Sequence, residues 1–137
     1  MVRSEGKKGG GIGMTLNEKL RGLLLDDVIK VAEPGIYTGT ESQYCIFRAD
    51  ELGADFGDDG PGAVRYLVTV HYFCPWDFNS IAERQALRRR LFEAGFTWPD
   101  LTDASTAEKS KSAGAEDLTQ HWVLECEYVG GLDGEVE

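Results

Sequence analysis

The chain has 137 residues, enough for one domain with its own core, and an apolar content of 42% marks it as globular. Its 24 acidic and 14 basic residues leave a net charge of −10, which disfavours wrapping around nucleic acid, where phosphate-facing Lys and Arg are needed. It holds no apolar run of about 18 residues to span a membrane and no apolar N-terminal stretch of a signal peptide.

Residues 1–14 are Gly-rich and read as a flexible tail; Met14 is an alternative start. Residues 15–129 read as one α+β domain. A helix is predicted over 15–28. Thr15 and Glu18 have capping-box spacing, and Leu16, Leu20, Leu23, Leu24 and Val28 share one stripe. A short extended piece follows at 36–40, then a strand at 43–49. Residues 50–62 are acidic, Gly-rich and loop-like. They lack the oxygen-ligand spacing of a calcium loop.

The stretch 63–99 organises the chain. Val64, Tyr66, Val68, Val70, Tyr72 and Cys74 alternate with Arg65, Leu67, Thr69, His71 and Phe73, which predicts a strand with one face on a core. Pro75 ends it. Ser80 and Glu83 suggest a second capping box, and Gly95 the stop of the helix that follows. On that helix Ile81, Leu87, Leu91, Phe92 and Ala94 form a broad apolar arc with Arg84 and Arg88 at or within it. An arginine there either snorkels or meets a carboxylate across an interface. Trp76, Phe78, Phe96 and Trp98 bracket the helix and close the core, or leave one ring as an interface anchor. Residues 103–117 are small and charged, including Lys109 and Lys111. They form a disordered loop or a segment ordered only by a partner. A last strand spans 118–128, and 130–137 is a loose acidic tail. The fold class is then a two-layer α+β sandwich: a mostly antiparallel sheet of about four strands with two main helices on one face.

Chemistry-bearing residues do not converge in this pattern. His71 and Cys74 differ in parity, as do His121 and Cys126, so each pair points to opposite sheet faces. That opposes a zinc site or a Cys/His nucleophile pair. The three cysteines Cys45, Cys74 and Cys126 read as buried reduced thiols, and the two histidines, on adjacent strands, would share the solvent face. Phosphate-cradling glycine motifs are absent, and the carboxylate pairs Asp26–Asp27 and Asp58–Asp59 lack an apolar frame. The expectation is no enzyme, no cofactor and no metal. The notable surface feature is charge segregation: Arg84, Arg88 and Arg89 on the helix against Asp55, Asp58 and Asp59 in the acidic segment.

The run VRYLVTVHYFCPWDFNSIAERQALRRRLFEAGFTWPDLTD, followed by HWVLECEY, resembles the tail terminator or tail completion proteins of long-tailed bacteriophages and prophages. The likeness covers roughly residues 16–128. It implies an α+β virion subunit, assembled in the host cytoplasm. Such subunits form a ring, often a hexamer, that ends tail-tube growth and joins the tail to head completion proteins. Partners would be other copies, the tail tube protein and neck proteins, with DNA passing through the lumen unbound. The family brings no catalytic residues. Arg84, Arg88, Arg89, Trp76, Asp55, Asp58, Asp59, Lys109 and Lys111 are the candidate subunit or partner contacts. Head closure or adaptor proteins follow the same logic of ring contacts without chemistry. A small-ligand-binding or enzymatic α+β domain is a second alternative, with His71 and His121 its one hint, and a plain protein-interaction module without a phage role is a third.

Overall fold

In the computed structural model, which describes residues 14–52, 64–105, 119–130 and 135–136, two twelve-residue strands form the centre: β4 (Val64–Pro75) and β6 (Thr119–Gly130). The remaining elements are β1 (Met14–Thr15), α1 (Leu16–Leu24), β2 (Val31–Pro34), β3 (Tyr44–Leu52), α2 (Ile81–Glu93), β5 (Asp100–Asp103) and β7 (Glu135–Val136). The main sheet has the order β2-β3-β4-β6-β5, with β2 parallel to β3 and every other pairing antiparallel.

The alternation in β4 orients the sheet. Its even-numbered side chains are buried, and its odd ones are at most half-buried. The ladder sets Val70 opposite Leu124 and Phe47, and Val68 opposite Cys126. Facing residues of an antiparallel pair share a side, so the three long strands commit one face to the core together. Leu16, Leu20 and Leu24 of α1 and Leu87 and Leu91 of α2 complete that core. Both helices therefore cover the same face. All three cysteines are buried and free, with burial pushing the Cys126 thiol up to about 12 and Cys45 and Cys74 upward too. Among the described residues no helix is long and apolar enough to cross a membrane.

The sheet has five strands of mixed direction rather than about four. The addition, β5, and the displaced extended piece, β2, are edge strands of four residues each. That length is too short for alternation to show. Asp100, Leu101, Thr102 and Asp103 have the composition of a loop, but they meet the exposed edge of β6 and pair with it. The extended piece lies at Val31–Pro34, ahead of the predicted 36–40, and leaves the ladder through Gly35 at φ 86°.

Helix ends also differ from expectation. The capping box at Thr15 is present in both directions. Helix α1 nevertheless stops at Leu24, because the Asp26 Oδ1 accepts the backbone N–H groups of Val28 and Ile29 at 2.8 and 2.7 Å. Such an Asx turn offers the backbone an alternative to another helical turn. The box expected at Ser80 and Glu83 does not form. Ser80 makes no cap bond, and Asn79 Oδ1 accepts the Ile81 N–H instead. Gly95 ends α2 as expected, at φ 104°. The tail read as loose is pinned at Glu135–Val136, which pairs antiparallel with Met14–Thr15.

Candidate functional site

With both helices on one face, no described element covers the other. That open face carries Tyr44 and Ile46 from β3, Leu67, Thr69, His71 and Phe73 from β4, and His121 and Val123 from β6, all half-buried. Aromatic rings run across it in a file. Tyr37 and Tyr44 lie 4.8 Å apart, Tyr44 stacks on Phe73 at 4.8 Å, and Phe73 stacks on His121 at 4.3 Å. His121 then meets His71, with His71 Nδ1 and His121 Nε2 2.8 Å apart. Burial pushes the His71 pKa below its ordinary value, with Glu125 pulling the other way. At neutral pH the contact is a hydrogen bond, one ring donating its N–H and the other accepting. The histidines share the open face and the cysteines lie beneath it, as parity requires. Among the described residues no three His, Cys, Asp or Glu side chains gather as a metal site.

At the β5–β6 edge of this face lies a hollow of about 330 Å³, lined by Leu67, Thr97, Trp98, Asp100, Glu125, Cys126 and Glu127. Asp100 stands directly opposite Glu125 in the ladder. Like charges so placed are destabilising. Arg65 reaches Glu127 at 3.8 Å, a long and half-exposed pair.

The basic helix is arranged differently from the expected arc. Its buried stripe is Glu83, Leu87 and Leu91; Ile81 and Phe92 are 58% and 54% exposed. They fall with Gln85 and Arg89 on the side turned away from the sheet. Arg84 is not a free contact. Its guanidinium lies 3.8 Å over the Trp122 ring and donates to Ser80 Oγ. Ser80 donates to Gln120 Oε1, which also accepts from Trp122 Nε1. The Gln120 amide donates to the carbonyls of Pro75, Trp76 and Phe78. This cluster fastens the turn between β4 and α2. Arg88 donates to the Pro99 carbonyl and lies 5.0 Å over Trp98, whose ring meets Phe92 edge-on. Arg89 is exposed, with no ion pair or hydrogen bond among the described residues. Trp76 is 49% exposed. Asp55, Asp58, Asp59, Lys109 and Lys111 lie outside the described residues.

One polar group went unread in the sequence. Arg90 donates to the Leu23 carbonyl at 2.6 Å, pairs with Asp26 at 3.1 Å, and approaches Glu83 at 3.9 Å. Glu83 is 8% exposed. Burial first, then its hydrogen bond to Asp26 and that residue's charge, raise its pKa to about 7. Burial works upward on Asp26 as well, but the Glu83 hydrogen bond, two backbone N–H groups and Arg90 outweigh it and lower its pKa. Glu83 is thus the first of the two carboxyls to take up a proton as pH falls. Glu83 and Arg90 sit two helical turns apart, which was legible; Asp26 belongs to a distant loop, which was not.

No protein-family model matches the chain, and no curated protein is similar enough to it to count as a relative.

Proposed function

We propose that this chain is a structural subunit of a long-tailed phage virion. In this reading it forms a ring that ends tail-tube growth and joins the tail to the head–neck complex. It acts by contact, without catalysis or a cofactor. Its partners are further copies of itself, the tail tube protein and the head completion proteins, and DNA passes through the lumen without specific binding. Two kinds of support stand behind the proposal. One is the resemblance carried by the central strand, the Arg-rich helix and the last strand. The other, which carries most weight, is that the two layers each present a surface of different character that no described element covers. The sheet side offers a file of half-buried rings from Tyr37 to His71, and the helix side offers Ile81, Arg89 and Phe92. Half-buried aromatic surface is the composition that interfaces favour. A ring needs two unlike patches on each subunit, because its contacts are heterologous.

Light scattering on a sizing column, across a concentration series, tests this. A discrete species near six subunits, which then binds purified tail tubes, is the expected result. A chain that stays monomeric and ignores tail tubes overturns the reading. An oligomer that binds only head-side neck proteins moves the chain to head closure.

A further inference from the structure

We propose that copies of this chain join head to tail, the outer face of α2 on one copy seating Arg89 and Phe92 in the acidic hollow at the β5–β6 edge of the next. This rests on the ring reading above and names its contact.

On the helix side, a covering helix ordinarily turns its apolar residues inward and its polar ones outward. Helix α2 turns Leu87 and Leu91 inward but also exposes Ile81 and Phe92, with Arg89 between them and Trp98 against Phe92. Arg88 and Arg84 are held by Pro99, Trp98, Ser80 and Trp122; Arg89 alone of the three has no such partner among the described residues. On a chain of net charge −10, a guanidinium that has no ion pair among the described residues and shares its helix side with exposed apolar side chains is the exception.

On the sheet side, the hollow supplies the complement. Its carboxylates come from Asp100, Glu125 and Glu127, and its apolar wall from Leu67 and Trp98. Asp100 and Glu125 oppose each other across the ladder, and neither has an ion pair among the described residues. A guanidinium entering there relieves that repulsion, and its planar fork suits a carboxylate pair. The Phe92 ring would lie on the apolar wall.

Charge complementarity within one chain selects a second copy as the occupant. Trp98 belongs to both surfaces, its ring meeting Phe92 and also lining the hollow, yet within one subunit Arg89 forms no ion pair with Asp100, Glu125 or Glu127 among the described residues. A heterologous contact repeats from copy to copy and closes a ring when the rotation between copies divides a full turn.

The test uses the full chain, alone and with tail tubes, by light scattering and sedimentation. Arg89→Glu and Glu125→Arg both sit at exposed positions, and thermal melts first establish that each variant folds. Each variant alone should need more than tenfold higher concentration to assemble. The equimolar mixture should recover wild-type assembly, because each copy then meets an opposite charge in both contacts. If wild-type chain assembles and either variant assembles equally well, or the mixture stays apart, the contact is wrong while the ring reading stands. Rescue of Arg89→Glu by reversing Asp55, Asp58 and Asp59 instead also overturns it, in favour of the acidic segment. A wild-type chain that is monomeric throughout overturns both.

Discussion

Glu83 shows how far a single side chain can depart from its apparent role. The sequence places it as the third residue of a capping box, yet it turns inward and is buried beside Arg90, where Asp26 helps raise its pKa. Its folded pKa of about 7 lies above the ordinary value of 4.5, so the native state holds that proton more tightly than the unfolded chain. The stabilisation is complete below about pH 4.5 and is lost as pH rises through about 7. Asp26, with its pKa lowered, works in the opposite sense at lower pH, where its protonation removes stability. Urea unfolding should therefore give a lower midpoint at pH 8 than at pH 5.5. Glu83→Gln, which still donates to Asp26 but does not titrate, should flatten that difference and gain on the order of 2 kcal/mol over wild type at pH 8. Equal slopes in the two proteins would show that the proton resides elsewhere. Gln120 is a second such residue. Its amide serves three carbonyls of the β4–α2 turn, so Gln120→Ala leaves those of Trp76 and Phe78 short of a donor, while that of Pro75 keeps the Phe78 N–H, and should cost about 1–3 kcal/mol in chemical denaturation.

At the scale of elements, periodicity spoke clearly where the chain was long enough. The even positions of β4 reached the core, and the Thr15 capping box formed. Gly95 ended α2 with a positive φ, and a Cβ there would meet only Tyr128 at 3.6 Å, an ordinary contact. Gly95→Ala should thus cost about 1–2 kcal/mol through backbone conformation alone, with the packing of Phe96 on Tyr128 kept. A larger loss in thermal or urea unfolding would point to a clash instead. Strands β2 and β5 were illegible because four residues on an edge need no apolar alternation; the backbone of a neighbouring strand recruits them. The outer apolar residues Ile81 and Phe92 misled for a related reason. Helical spacing tells which residues share a side, but not which of two apolar sides meets the sheet.

For the molecule as a whole, the outer face of α2 carries the exposed Arg89, and the β5–β6 edge carries the carboxylates of Asp100, Glu125 and Glu127. If assembly depends on their meeting, it should weaken as salt rises. Increasing NaCl from about 50 to 500 mM, which shortens screening from roughly 14 to 4 Å, should shift a light-scattering series toward monomer. Assembly indifferent to salt would instead favour the aromatic file of the open face as the main contact.

Sequence alone determined the α+β class, the two long core strands, the covering helices and the burial of the cysteines. Each follows from local periodicity and composition, which repeat along the chain and need no knowledge of distant neighbours. It also separated the histidines from the cysteines, since strand parity is a counting rule. Tertiary structure alone decided that His71 meets His121, that Asp26, Glu83 and Arg90 share a buried cluster, and that Asp100 faces Glu125 at the rim of a hollow. These pairings join segments far apart in the chain. Their geometry depends on strand order, register and the side from which each helix docks.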